Sequence, residues 1–149
     1  MLIGKQSWKF LNTPHIVATG VTGGVLEKQG VLADDFDLLY DDNYINEESH
    51  EKAHRKLIED AVEIVLKKGG IQKESVQFFL AGDLINEMTP TSFAARTNEI
   101  PFFGLFNACA TSMEGLALAS FIINYSGANY IITGAASHKG AADKQFRYP

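Results

Sequence analysis

Phe102-Phe103-Gly104-Leu105-Phe106-Asn107-Ala108-Cys109-Ala110-Thr111-Ser112-Met113-Glu114-Gly115 is the stretch on which the fold of this chain turns. The apolar run Phe102 to Phe106 predicts a strand, and it passes abruptly into an apolar segment, Ala110 to Tyr125, that predicts a long helix. Cys109, the single cysteine, stands at the junction. A thiol there faces unpaired backbone N–H groups and the positive end of the helix dipole, which favour thiolate and attract an arriving anion. From Met113 to Tyr125 the strongly polar interruptions are Glu114, Ser120 and Asn124, so the helix is expected to be enclosed on every side. Gly115 and Ala119 lie four apart and leave a groove suited to close approach by a second helix, which the chain does not supply.

Outward from this junction, short runs apolar on both faces alternate with helical patterns. Ile16-Val17-Ala18, Val76 to Ala81 and Tyr130 to Thr133 join Phe102 to Phe106 as predicted strands of a buried parallel sheet in an α/β domain. A helix is predicted from a cap at Asn46, with Glu47 and Glu48 in its first turn, to Lys67-Lys68-Gly69-Gly70. Its stripe of His54, Ile58, Ala61 and Val65, flanked by Leu57, Val62 and Leu66, gives it one buried face. A shorter helix is predicted from Thr91 to Asn98, ending ahead of Ile100-Pro101 because a residue before proline is pushed out of helical geometry. The last residues, Lys139 to Pro149, read as an exposed charged tail.

With 149 residues, 46% of them hydrophobic and 21% charged, the chain is long enough for one domain with a core of its own. A net charge of −5, and no basic stripe interleaved with aromatics, argue against nucleic acid as a partner. One cysteine makes no internal disulfide, which fits a reducing compartment. No signal peptide or transmembrane segment is read: the start lacks an apolar h-region, and the longest apolar stretch, Leu116 to Ile123, is too short to span a bilayer.

The residues carry a family resemblance. Ala95-Arg96, then Ile100-Pro101, then Asn107 to Ser112 resemble the thiolase and ketoacyl-synthase pattern, in which an Ala-Arg helix leads through a Pro-headed strand to a cysteine starting a buried helix. More closely, Gly4-Lys5-Gln6, Leu80-Ala81-Gly82-Asp83-Leu84, the cysteine segment with Met113-Glu114, and Gln145-Phe146-Arg147-Tyr148-Pro149 resemble the stage V sporulation protein AD family, thiolase-like proteins of spore-forming bacteria. The resemblance runs along essentially the whole chain. It implies the first half of a thiolase-like fold, with a mostly parallel sheet of order 3-2-1-4, helices on both faces, and Phe102 to Phe106 on an edge that pairs with its copy in a homodimer. The resemblance implies a family about twice this length, so residues 1–149 are expected to be an incomplete N-terminal domain, either a fragment or a gene product that finds its cover elsewhere, without the second-half histidines that act as acid and base in condensing enzymes.

The resemblance also implies a role: non-enzymatic binding of dipicolinic acid, a small dianion, for its uptake into the developing spore. It places the protein peripherally at the spore inner membrane, or in the cytoplasm, beside other uptake-channel proteins. No cofactor and no metal is implied. The expected ligand-binding residues are Cys109, Ala110, Thr111 and Ser112 at the helix start, with Asp83 and Asn86 after the second strand, Arg96, and His138 after the fourth; Lys139 is a further cation nearby. Asp83 and Asn86 serve equally well as caps or turn formers near Thr91, and Arg96 as a structural pairing residue. In the order 3-2-1-4 two strands separate Cys109 from His138, roughly 14 Å at the usual spacing, so direct contact is not expected.

The competing class is a cysteine-dependent acyl transferase with Cys109 as nucleophile, for which no positioned acid and base are visible. His50-Glu51-Lys52-Ala53-His54 matches the zinc signature H-E-x-x-H, with both imidazoles on one helix face, but no motif supplies a third ligand. It reads as part of a charged amphipathic helix. Thr19 to Gly24 is glycine-rich without nucleotide-loop spacing and reads as a turn.

Overall fold

A computed structural model describes residues 1–147 of the chain. At its centre lie three parallel strands, β5 (Phe78–Gly82), β6 (Phe102–Gly104) and β7 (Ile131–Ala135), in the order β6-β5-β7. Phe79 pairs with Phe102 on one side and Ile132 on the other, which sets the register of the sheet. Side chains alternate across β5. Phe79 and Ala81 join a core with Ile58 and Val62 of helix α2 (His50–Gly69) and Ala94 and Ala95 of helix α3 (Thr89–Asn98). On the opposite face Leu80 packs with Leu105 and with Ala119 of helix α4 (Thr111–Asn124). The α/β class, helices on both faces and the edge position of β6 all match the expectation.

The strand order differs from 3-2-1-4 in one respect. Ile16-Val17-Ala18 is not a strand: β5 pairs directly with β7, and Ile16 and Val17 are 72% and 61% exposed. Close approach to α2 holds this segment away from the sheet, since a Cβ at Gly20 would stand 2.5 Å from the Ala61 carbonyl oxygen, and Ala18 lies against Gly69. The segment instead leads into β3 (Thr22–Gly23), which pairs in parallel with β4 (Leu38–Leu39), with the short helix α1 (Val25–Lys28) between them. At the N-terminus β1 (Leu2–Ile3) and β2 (Ser7–Trp8) form an antiparallel hairpin laid on α4, with the Trp8 and Phe121 rings 5.2 Å apart.

Helix boundaries follow their caps. Ser49, not Asn46, caps α2, its hydroxyl accepting from the Lys52 amide at 3.3 Å. Ile45 and Asn46 both take left-handed backbone angles, which no helix tolerates, so the helix begins later than the charge pattern predicts. Gly70 ends it in the left-handed conformation expected of a glycine there. Residues 139–146, read as a tail, form helix α5 (Lys139–Phe146), capped by His138 and seated on α2 with Ala141 buried. An Ala-containing face too short to register as a stripe is buried because α2 offers it a surface. Tyr148 and Pro149 lie outside the described residues.

Helix α4 corrects one further expectation and leaves open the outer face for which the sequence supplied no covering helix. Gly115 and Ala119 face the sheet rather than a second helix: a Cβ at Gly115 would come within 2.0 Å of the Thr133 hydroxyl oxygen. The bulky residues Met113, Leu118, Phe121 and Tyr125 point outward and are 37–63% exposed, so among the described residues α4 is covered on one face, not on every side. One sheet and a two-stranded hairpin do not have the surface to wrap it.

Candidate functional site at the carboxyl edge of the sheet

Because all three central strands are parallel, the segments that follow them gather at one end of the sheet, where α/β proteins bind ligands. Gly82 is the reason they meet. A Cβ there would stand 1.7 Å from the Leu105 carbonyl oxygen and 3.1 Å from Cγ2 of Thr111, so the end of β5 touches both the end of β6 and the first residue of α4. Met88 closes the gap from above, its methyl 2.6 Å from where a Cβ of Gly104 would lie. Glu87, Met88 and Ala108 all hold left-handed backbone angles, a concentration of strain at this edge.

Cys109 is exposed, in a single 3-10 turn (Ala108–Ala110) that leads into α4. Ala110 is the N-cap and no side chain caps the helix; the Ala110 and Thr111 amides donate to the Asn107 and Ala108 carbonyls of the preceding turn. Ala110 is exposed, Ser112 half-buried and Thr111 fully buried, its hydroxyl oxygen accepting from the Asn107 amide at 3.1 Å. Thr111 therefore pins the turn rather than presenting a free hydroxyl. Glu114, in the first turn, has one carboxylate oxygen buried without a hydrogen-bond partner.

The other predicted site residues distribute unevenly. Asp83 is 3% exposed and wholly engaged: Oδ1 accepts from the Ile85 amide at 2.7 Å, and Oδ2 from the Thr91 amide at 3.0 Å and the Thr91 hydroxyl. It caps the first turn of α3 from the preceding loop. Asn86 is exposed, and its amide donates to Gln145 Oε1 of α5 at 3.2 Å. Arg96 is exposed on α3 and makes no ion pair among the described residues. Lys139 pairs with Asp143 at 2.5 Å. One strand, not two, separates β6 from β7, which brings their ends to about 10 Å apart at ordinary strand spacing.

His138 is buried, and its neighbours are histidines. Its ring lies 5.3 Å from that of His50 and 6.3 Å from that of His54, so α5 brings to the H-E-x-x-H segment the third imidazole that no motif supplied. Both His138 nitrogens are occupied: Nε2 lies 2.8 Å from the Asn43 carbonyl oxygen and Nδ1 accepts from the Ala141 amide at 3.3 Å. Among the described residues no group of three His, Cys, Asp or Glu side chains is arranged to hold a metal ion. Burial holds His54 down to about 4, against the pull of Asp83 and with the push of His138.

A cavity of about 600 Å³ opens elsewhere, beside the free edge of β7, between Leu57 and Val65 of α2 and Ala119 and Ile123 of α4. None of the eight predicted ligand residues lines it. Its walls are mainly apolar, and a dianion moved there without paired donors would lose several kcal/mol of hydration, of order.

The family model for stage V sporulation protein AD (SpoVAD) matches residues 4–149. The chain belongs to the stage V sporulation protein AD family. Stage V sporulation protein AD of Bacillus subtilis (strain 168) is 40% identical over 148 residues, covering 99% of this chain and 44% of that protein. The chain thus spans less than half the length of this relative. Membership places it among sporulation proteins. No helix among the described residues is long and apolar enough to cross a membrane.

Proposed function

We propose that this chain binds dipicolinic acid, without turning it over, as part of its uptake into the developing spore. The observation that carries the reading is the uncapped start of α4: exposed Cys109 and Ala110 lead into helix N–H groups that no side chain satisfies, at the ligand-binding edge of a parallel sheet. One carboxylate of the dianion is held at the Ser112 amide, since the Ala110 and Thr111 amides already donate to Asn107 and Ala108, and the second calls for a cation, for which Arg96 and Lys139 are the candidates. Asn86, Thr111 and His138 shape the surrounding loops. Asp83 acts through the turn it braces, since both its oxygens are spent on Ile85 and Thr91. The family layout adds a thiolase-like second half, a homodimer through the edge strand β6, whose Phe103 is half exposed, and peripheral residence at the spore inner membrane with other uptake proteins.

Isothermal titration with pyridine-2,6-dicarboxylate, beside the 2,4-isomer and an acyl thioester, tests the reading. Saturable binding of the 2,6-isomer, weakened by Arg96→Ala, is expected. Acylation of Cys109 by the thioester with release of free thiol would establish the acyl-transferase instead.

A further inference from the structure

Of the three histidines at the junction of α2 and α5, His138 only shapes a loop in that binding reading and His50 and His54 have no part in it. His54 is fully buried with neither ring nitrogen hydrogen-bonded, and Nδ1 of His50 is buried in the same condition. The Ala136 backbone lies near enough to His54 to favour a charged ring slightly, without a hydrogen bond of ordinary geometry. The His50 ring is sandwiched between Tyr44, 4.4 Å away and stacked, and Gly140, where a Cβ would come within 2.8 Å of its Cγ. His138 ties the group to two other segments, reaching the 40s loop through Asn43 and capping its own helix through Ala141.

The bonds of His138 define its protonation state. A carbonyl oxygen only accepts, so the Asn43 contact requires hydrogen on Nε2; the Ala141 amide only donates, so Nδ1 must be bare. This is the neutral ring. A second proton would fall on Nδ1, opposite the Ala141 N–H, turning a cap into a clash of two donors. It would also put a cation at the positive end of the α5 dipole and beside the rings of His50 and His54.

We propose that His54 and His138 form an acid-sensitive clasp: as neutral imidazoles they hold α5 on α2, and protonation releases α5. The proposal goes beyond the ligand reading and does not depend on it. The charged groups around the clasp oppose release only weakly. From α2, Glu51 faces His138 but is already paired with Lys144 of α5 at 2.7 Å. From the loop after β5, Asp83 faces His54; its oxygens are bonded to Ile85 and Thr91, and its charge offsets part of the burial cost of a proton on that ring. From the 40s loop, Asp42 is bonded to the amides of Tyr44 and Ile45. On α5 itself, Asp143 pairs with Lys139 and Arg147. Burial depresses both His54 and His138, so the clasp stays closed at neutral pH. Among the described residues, α5 is otherwise held by the buried Ala141, Gly140 against His50, the Lys144–Glu51 pair, and Gln145 on the Asn86 amide.

Amide hydrogen exchange of the full chain at pH 7 and pH 4, with rates corrected for the intrinsic pH dependence of exchange, tests the clasp. Protection over residues 139–146 should fall at least about ten-fold at pH 4, while protection over 78–82 stays. In the double variant H54L/H138N, where leucine fills the buried site and asparagine caps without titrating, the fall should shrink to about two-fold or less. Equal protection of α5 at both pH values, or a full acid response in the double variant, would overturn the proposal. Imidazole resonances of the wild-type chain provide a test free of mutagenesis: His138 charged while α5 remains protected contradicts the clasp, and His138 titrating together with loss of protection supports it.

Discussion

Gly82 and Leu105 touch backbone to backbone, close enough that a Cβ on Gly82 would overlap the Leu105 carbonyl oxygen at 1.7 Å. This contact delivers the β6–α4 turn, and Cys109 with it, to the end of β5. The same carbonyl belongs to the residue whose amide donates to Ala81 at 2.9 Å, so neither strand can move aside without breaking the ladder. Gly82→Ala should therefore destabilise the domain by about 3 kcal/mol, the upper range for overpacking. Urea unfolding reads this directly; an unchanged midpoint would mean that the turn is free to shift.

Asp83→Ala leaves the Thr91 amide and hydroxyl and the Ile85 amide without an acceptor in a buried turn. A loss of about 2–3 kcal/mol is expected. If Asp83 serves only as a brace, Asp83→Asn should recover part of both stability and dipicolinate affinity in step, measured by unfolding and titration on one preparation. Affinity lost with stability intact would assign it direct ligand contact.

The two faces of α4 should respond oppositely to substitution. Gly115→Ala drives a methyl into the Thr133 hydroxyl and should cost about 1–3 kcal/mol. Met113→Gln on the outer face, where Met113 is 61% exposed, should change stability by no more than about 0.5 kcal/mol. Thermal melts that ranked them the other way would mean that α4 is rotated from the orientation described.

Cys109 is exposed in the folded chain, so iodoacetamide should label it under native conditions at a rate close to that in urea. Cys109→Ser should leave stability within about 0.5 kcal/mol. Native protection of the thiol by more than ten-fold would place it inside a pocket.

Stability should fall with acid because of His54. The unfolded ring takes up a proton near 6.5 and the folded ring only near 4, so the unfolded state binds more protons between these values. The stabilisation is complete above pH 6.5 and drains away as pH falls towards 4, by up to about 3 kcal/mol. His54→Leu should flatten that part of the pH–stability curve. A variant curve parallel to wild type between pH 4 and 6.5 would remove His54 as the source.

Several elements were legible because their signals are local. Helix α3 stops at Asn98, ahead of Ile100-Pro101, and α2 stops at Gly70, because proline and glycine constrain the chain where they stand. Phe78 to Gly82 and Phe102 to Gly104 are strands because runs apolar on both faces have no stable home outside a covered sheet. The gathering of Asp83, Asn86, Cys109 and His138 at one sheet edge also followed from sequence, since parallel strands send their following loops to a common end.

Other features depend on partners distant in the chain. Ile16-Val17-Ala18 has the composition of a strand, yet Gly20 settles against α2 and the segment never reaches a strand partner. The apolar character of α4 was evident, but which side meets the sheet depended on whether Gly115 could fit beside Thr133. The residues after His138 looked like a tail until α2 provided a surface for Ala141.

By itself the amino-acid sequence determined the class of the domain, the family and the end of the sheet where an anion is expected, because periodicity, glycine and proline act within a few residues of themselves. Only the tertiary structure decided that Asp83 is spent on Thr91, that α4 turns its small residues inward, and that His138 joins His50 and His54 across 84 residues of chain from His54. Those outcomes rest on which surfaces compete for the same space, and no local pattern encodes that competition.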